Sequence, residues 1–492
     1  TTQELTNDRA REFIGQDHKL FIGGEWVDPQ GSGRIEVTSP STGEVIGYAP
    51  DGSEEDIDRA VQAARRCFDD SDWPHLGFVE RVAHLNRAAD VFDKHVERIA
   101  EVTADESGLP FHTTAMDHGR LIPYLLRASA ELGAKLAEEE ERPGAFTKVT
   151  LRREPVGVVG AITPWNAPAV MAHFTIPPAL MAGCAVVLKT APESPLHGQI
   201  LGSIYEEVGL PPGVINIVPA GRAASESLVR HPGVDKIAFT GSTATGQRVG
   251  AICGELFKRR TLELGGKSAA IILDDANLPE IMPSLVAASV MNNCQACLGQ
   301  TRILAPENRY DEVVRAYAEE IRKIKVGDPF DPATQVGPLI SQQARDKAER
   351  YIELGKSEGA TLVTGGGRPA EPARGWYVEP TVFRDVSNKM RIAREEIFGP
   401  VFVVIPYKDD ADAIRIANDS DYGLSGSVWT SDVERGRAVA RKIRTGHCGI
   451  NVHMFEFSAP FGGYKKSGLG REFGEEGLSE FFEFKQINEK IA

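Results

Sequence analysis

Residues 156–246 read VGVVGAITPWNAPAVMAHFTIPPALMAGCAVVLKTAPESPLHGQILGSIYEEVGLPPGVINIVPAGRAASESLVRHPGVDKIAFTGSTATG. Short β-branched runs, VGVVGAI (156–162), CAVVLK (184–189), VINIV (214–218) and DKIAFT (235–240), alternate here with helix-length segments that carry Pro and Gly at their ends. Such spacing predicts right-handed βαβ crossovers and a parallel sheet.

Beyond Glu263 a second series begins. AAIIL, RILAP, FVVIPY and SGSVWT read as strands, interleaved with helical stretches such as YDEVVRAYAEEIRKI and ISQQARDKAERYIELGK. A chain of 492 residues exceeds what one hydrophobic core usually fills, so two or three α/β domains are expected. Upstream, Ser53 and Asp56 form a capping-box pattern, and Ile57, Ala60, Val61, Ala64 and Phe68 fall on one helical face. The acidic stretch AEEEERPGAF (137–146) and the closing EFFEFKQIN (480–488) fit neither domain; the latter alternates like an edge strand, and both could pair with another subunit. No internal repeat interrupts this organisation.

Composition, 41% hydrophobic and 25% charged, is that of an ordinary globular protein. The net charge of −15 and the lack of a dense Lys/Arg cluster argue against nucleic acid as a partner. A negatively charged cofactor would have to be held by backbone amides at a helix start, against the global field. No run approaches the roughly 18 apolar residues of a membrane helix, and TTQELTNDRAREF lacks a signal-peptide core, so a cytoplasmic protein is expected. Six scattered cysteines do not form a disulfide framework.

Four segments carry chemistry. Cys297, in NNCQACLGQTR, lies at a connection between an apolar helical segment and the strand RILAP, where reactive groups tend to sit. Glu263, in LELGGKS, supplies a carboxylate beside a Gly-Gly turn. A thiol can hold a carbonyl carbon covalently and a carboxylate can activate the water that frees it, which points to oxidation of an aldehyde to an acid. In TPWNAPAV, the amide of Asn166 could donate to an alkoxide together with the backbone N–H of Cys297. In FTGSTATG, Gly241 and Gly246 let the chain bend closely while Ser242 and the first helical turn meet a pyrophosphate; Lys189, after a strand, could bond a ribose or phosphate. Taken singly each has an ordinary alternative: a buried cysteine, a solvated carboxylate, a turn asparagine, a surface lysine.

Taken together, FIGGEWV, TPWNAP, VLKTAPESP, FTGSTATG, LELGGKS, QACLGQTR, REEIFGPV and PFGGYKKSGLGRE resemble the aldehyde dehydrogenase superfamily over nearly the whole chain. The resemblance implies a Rossmann-like, parallel-sheet NAD(P)-binding domain (1–126 and 148–264), a second α/β catalytic domain (265–456) and small β bridging segments (127–147 and 457–492), assembled as a homodimer or homotetramer. It makes Cys297 the nucleophile, Glu263 the general base and Asn166 an oxyanion donor. Trp165, Lys189 and Ser242 then line the dinucleotide, and Glu396 and Phe398 hold the nicotinamide ribose and ring. Ala167, Met171, Phe174, Met291 and Phe461 line an aldehyde tunnel with fewer bulky aromatics than in some relatives, which implies a medium or large apolar substrate. Because Glu263 is present, hydrolysis is expected rather than transfer to coenzyme A; no metal is expected.

Two positions depart from the family pattern. Cys294 stands where Gly is usual, so that a reversible Cys294–Cys297 disulfide is one reading and a tolerated small residue another. Pro192 stands where many NAD-preferring members carry a glutamate, with Glu193 displaced by one position; NAD is the first choice and NADP stays open. Competing classes are a thiol–disulfide oxidoreductase using Cys294 and Cys297, a cysteine hydrolase with His447 or His453 as base, and a non-catalytic structural protein of the same fold.

Overall fold

The strand runs of residues 156–240 form the centre of an eight-stranded sheet, in the order Glu25–Val27, Leu20–Ile22, Ile215–Pro219, Ala185–Thr190, Val158–Ile162, Lys236–Thr240, Arg259–Glu263 and Gly468–Leu469. The five strands from Ile215–Pro219 to Arg259–Glu263 are parallel, and the outer ones join antiparallel. Val158–Ile162, Ala185–Thr190 and Ile215–Pro219 are buried throughout, as expected of strands covered by helices on both faces. The computed structural model describes residues 11–491. Most of the amino-terminal stretch read above for a leader lies outside the described residues.

Strand order reverses at Val158–Ile162: the next two strands stack on one flank, and Lys236–Thr240 and Arg259–Glu263 on the other. A crevice outside the carboxyl ends at such a switch point is where open α/β sheets take ligands.

The second series forms a seven-stranded sheet, ordered Thr361–Thr364, Thr381–Arg384, Val401–Tyr407, Gln300–Pro306, Ser268–Ile272, Gly426–Trp429 and Gly449–Ile450. All its pairings are parallel except the outermost, Thr361–Thr364 with Thr381–Arg384. Residues 264–267 alone connect the last parallel strand of the first sheet to Ser268–Ile272 of the second. That short connection sets the carboxyl edge of one sheet against the amino edge of the other.

Helix Glu54–Asp70 carries the expected capping box, Ser53 and Asp56 serving each other's backbone, and buries Ile57, Ala60, Val61 and Ala64. Helix Leu121–Gly133 packs on Phe78–Phe92 and Pro168–Ala182. Phe482–Lys490, Thr147–Pro155 and Glu139–Arg142 make a three-stranded antiparallel sheet, the first of these being the edge strand expected from EFFEFKQIN. No described helix is long and apolar enough to cross a membrane.

Candidate active site

Loops leaving the two strands at the switch point deliver the first wall of the site. Val158–Ile162 runs into Trp165 and Asn166, and Lys236–Thr240 into Gly241 and Ser242; Glu263 closes the neighbouring strand. The second sheet supplies the opposite wall from segments that precede its strands: Cys297 before Gln300–Pro306, and Glu396 and Phe398 before Val401–Tyr407. A cavity of about 330 Å³ lies between, with Trp165, Asn166, Met171, Glu263, Cys297, Glu396 and Phe398 in its wall.

Cys297 is half-buried, and burial followed by the charges of Glu263, Glu396 and Glu472 pushes its thiol well above the usual range. Glu263 is buried, and neither of its carboxylate oxygens has a hydrogen-bond partner among the described residues. Burial, and then the charge of Glu472, pushes its pKa well up, with Arg471 opposing. A carboxylate so placed is a stronger base than a solvated one.

The Asn166 side chain donates through Nδ2 to the Gln295 carbonyl at 2.8 Å, which ties it to the loop of Cys297 and leaves its second N–H for another acceptor. Cys294 takes a different course. Its thiol donates toward Val290 O and packs in the core with Val290, Tyr317 and Phe402, whereas Cys297 packs with Leu298, Leu424 and Phe461 on the cavity side. Both thiols are free. His447 is engaged with Ser425 Oγ and Met454 O, and His453 with Gln300, so neither histidine is placed as a partner of the Cys297 thiol.

Glu396 is held at both ends: its Oε1 accepts from Gly266 N at 2.9 Å, and its carbonyl from Lys347 Nζ at 3.1 Å. A Cβ on Gly265 would stand 2.3 Å from Glu396 Oε2, so glycine is required for this carboxylate to lie over the chain. Phe398 has φ +60° and sets its ring edge-on to Trp165, centroids 5.4 Å apart. Ser242 caps helix Thr243–Glu255 by accepting from Thr245 N, so the helix's amino end opens at the cavity beside Gly241. Gly246 instead sits within that helix, where a Cβ would meet Leu264 at 2.3 Å; it serves packing of helix on sheet and does not line the cavity. Lys189, last but one in its strand, is buried, its pKa lowered to about 8 by burial, with Glu193 of the cavity wall and Asp51 opposing. An open helix terminus, an anchored carboxylate and an aromatic pair around this cavity could hold a dinucleotide.

Met171 and Phe174 pack with Ala167, Val170 and Leu125, and Met291 and Phe461 with Cys297. Phe455 and Phe473 belong to both groups and join them into one apolar cluster. Phe174, Phe455, Phe457, Phe461 and Phe473 form a connected set of ring contacts, with Phe174 and Phe473 at 4.6 Å and Phe455 and Phe461 at 4.7 Å. Of the five residues read as a tunnel, Ala167, Met171, Phe174, Met291 and Phe461, only Met171 borders the cavity; the others lie in the apolar packing beside it. Phe455 and Phe457 lie in an irregular segment and Phe473 has φ +61°, so no periodicity announced them; the pair FEF was the only signal.

The aldehyde dehydrogenase family profile matches residues 26–487. A geranial dehydrogenase of Castellaniella defragrans is 48% identical over 473 residues, covering 96% of this chain and 98% of that one. Among solved structures, a Mycobacterium tuberculosis aldehyde dehydrogenase complexed with NAD+ superposes with a TM-score of 0.95 at 47% identity, over 96% of this chain and 98% of that one. A Pseudomonas syringae aldehyde dehydrogenase C mutant complexed with NAD+ and octanal does so with 0.93 at 37% identity, over 96% of both chains.

Proposed function

The chain belongs to the aldehyde dehydrogenase family, and from that premise we propose how its residues divide the oxidation of an aldehyde to the carboxylic acid with NAD or NADP as hydride acceptor. Cys297 Sγ attacks the carbonyl carbon while its proton passes to Glu263, whose raised pKa suits it to that task. The oxygen that becomes an alkoxide accepts from Asn166 Nδ2 and the backbone N–H of Cys297. What a bound nicotinamide supplies is acceptance of a hydride, by which the thiohemiacetal carbon becomes a thioester carbon. Once that first proton has left for solvent, the Glu263 carboxylate draws a proton from water, the water oxygen adds to that carbon, and the C–S bond breaks as Glu263 hands the proton to the departing sulfur, which returns the Cys297 thiol and releases the acid. Trp165, Lys189, Gly241, Ser242, Glu396 and Phe398 hold the dinucleotide.

The observation that carries this reading is that Cys297, Glu263 and Asn166, from three separate segments, line one cavity. Cys297→Ser should abolish aldehyde-dependent reduction of NAD while leaving NAD binding, followed by protein fluorescence, intact. Sustained reduction by that variant would contradict it.

The substrate is a medium or large apolar aldehyde. The phenylalanine cluster packed beside Cys297 supports this, as do the relatives named for geranial or solved with octanal. Rising kcat/KM from propanal to octanal is expected; a flat series would count against it. NAD is favoured over NADP because Glu193 and Asp51 surround Lys189 with negative charge, which disfavours a further phosphate. The working protein is a cytoplasmic homodimer or homotetramer with a dinucleotide-binding domain at 1–126 and 148–264, a catalytic domain at 265–456, and bridging segments at 127–147 and 457–492. Support for the bridging role comes from the exposed Phe484 and Ile487 on the terminal edge strand.

A further inference from the structure

We propose that Asn292 is a positioning residue: its side-chain amide ties the loop of Asn166 to the loop of Cys297 and so aims the Asn166 amide at the oxygen of the carbonyl under attack. The proposal rests on the reading of Asn166 as an oxyanion donor.

Three consecutive residues, Asn292, Asn293 and Cys294, have φ of +54°, +55° and +61°. Left-handed backbone is disfavoured for L-residues, asparagine least among the non-glycines, so a run of three persists only where surroundings enforce it. Those surroundings are visible. Asn293 Nδ2 donates to Gly108 O at 2.8 Å and Pro338 O at 3.0 Å, and its Oδ1 accepts from Gly337 N at 2.7 Å. Gln295 Oε1 accepts from Ile340 N at 3.1 Å, and Gln295 N donates back to Asn292 O at 3.0 Å. The turn is fastened from outside, and its strain fixes where the Asn292 side chain goes.

That side chain crosses to the other sheet's loop. Asn292 Nδ2 donates to the Asn166 carbonyl and, at 3.2 Å, to the Gln295 carbonyl. The same Gln295 oxygen accepts from Asn166 Nδ2 at 2.8 Å. Asn166 is thus gripped at both its backbone oxygen and its side-chain nitrogen, and the two lone pairs of Gln295 O are divided between two asparagine amides. One hydrogen of Asn166 Nδ2 is spent on this anchor; the other has a fixed direction only while the anchor holds. A donor stabilises developing charge in proportion to its preorganisation, and a displacement of about 1 Å can cost on the order of 100-fold. Without the Asn292 amide, the Asn166 carbonyl loses its partner across the gap and the two loops are free to separate.

The test is a double-mutant cycle on the full-length enzyme. Asn292→Gly keeps the left-handed backbone and removes the amide; it is compared with Asn166→Ala and with the double variant by the burst rate of NADH formation at saturating octanal, alongside NAD affinity. We expect Asn292→Gly to slow the burst about 10–100-fold with NAD affinity unchanged, and the double variant to be no slower than Asn166→Ala alone. Should Asn292→Gly not fold, Asn292→Asp, which keeps the shape and loses the donors, is read in the same way. An unchanged burst in the Asn292 variant, or losses that multiply, overturns the proposal while sparing the role of Asn166. An Asn166→Ala enzyme with a normal burst removes that role, and the proposal with it.

Discussion

Glu263 and Glu472 are both buried in the same neighbourhood, and after burial itself the charge of Glu472 is what makes Glu263 hard to ionise. Cys297 feels the same charge, behind burial, Glu263 and Glu396. Glu472 is therefore expected to set the pH at which the base works. Replacing it with glutamine removes that repulsion, so Glu263 loses its proton at lower pH and the acid limb of the kcat–pH profile moves to lower pH. A profile that stays in place would show that Glu472 does not act on the base. Glu263 was legible in the sequence because LELGGKS sets it before a glycine pair. Glu472 was not, because within GREFGEEG it looks like one more charge in an acidic run. Only the fold, which pairs Glu472 with Phe461 across a bridge, turns it inward.

Connections between elements carry the geometry of the site. A Cβ on Gly266 would stand 2.2 Å from the carbonyl of Cys297, whereas on Gly265 it would meet the movable carboxylate of Glu396. Gly266→Ala should therefore displace the nucleophile and lower kcat about 100-fold, while Gly265→Ala acts mainly as a raised KM for NAD. Equal effects on both constants in both variants would contradict this division. A second prediction concerns the helical layer beneath the site. His118, in the π-helical segment Ala115–Arg120, and His173, in helix Pro168–Ala182, are fully enclosed, and burial lowers their pKa to about 3 and about 4. The unfolded chain takes up these protons near pH 6.5 and the folded chain does not. Stability is then complete above that pH and falls as pH drops toward 4, by at most about 1.4 kcal/mol per pH unit for each histidine. Removing one of them, as in His118→Leu, should flatten the fall of Tm between pH 6.5 and 4; an unaltered slope would refute the assignment. Strands such as Ala185–Thr190 were legible because β-branched runs buried on both faces leave a continuous apolar signature. Helix Pro168–Ala182 was harder to read, since Pro177 and Pro178 lie inside it and burial overrides their propensity.

The whole molecule is two parallel sheets joined by residues 264–267, with a third sheet at the side whose terminal strand Phe482–Lys490 has a partner on one edge alone. An unpaired edge bearing the exposed Phe484 and Ile487 is expected to be covered by another copy. Ile487→Lys should shift the mass seen by light scattering to a smaller species, and an unchanged mass would place the interface elsewhere. Two sheets in succession could be inferred from the repeated strand–helix alternation. How they meet could not, because it depends on contacts such as Asn166 to Gln295 and Gly266 to Glu396 between residues more than a hundred positions apart. The central claim belongs to this scale: the carboxylate that ends a strand of the first sheet completes the turnover begun by the sulfur that precedes a strand of the second. Intact-protein mass spectrometry of Glu263→Gln mixed with NAD and octanal tests it most directly. The account predicts one burst of NADH with an octanoyl adduct accumulating on Cys297; steady turnover at the unmodified enzyme's rate, with no adduct, would contradict it.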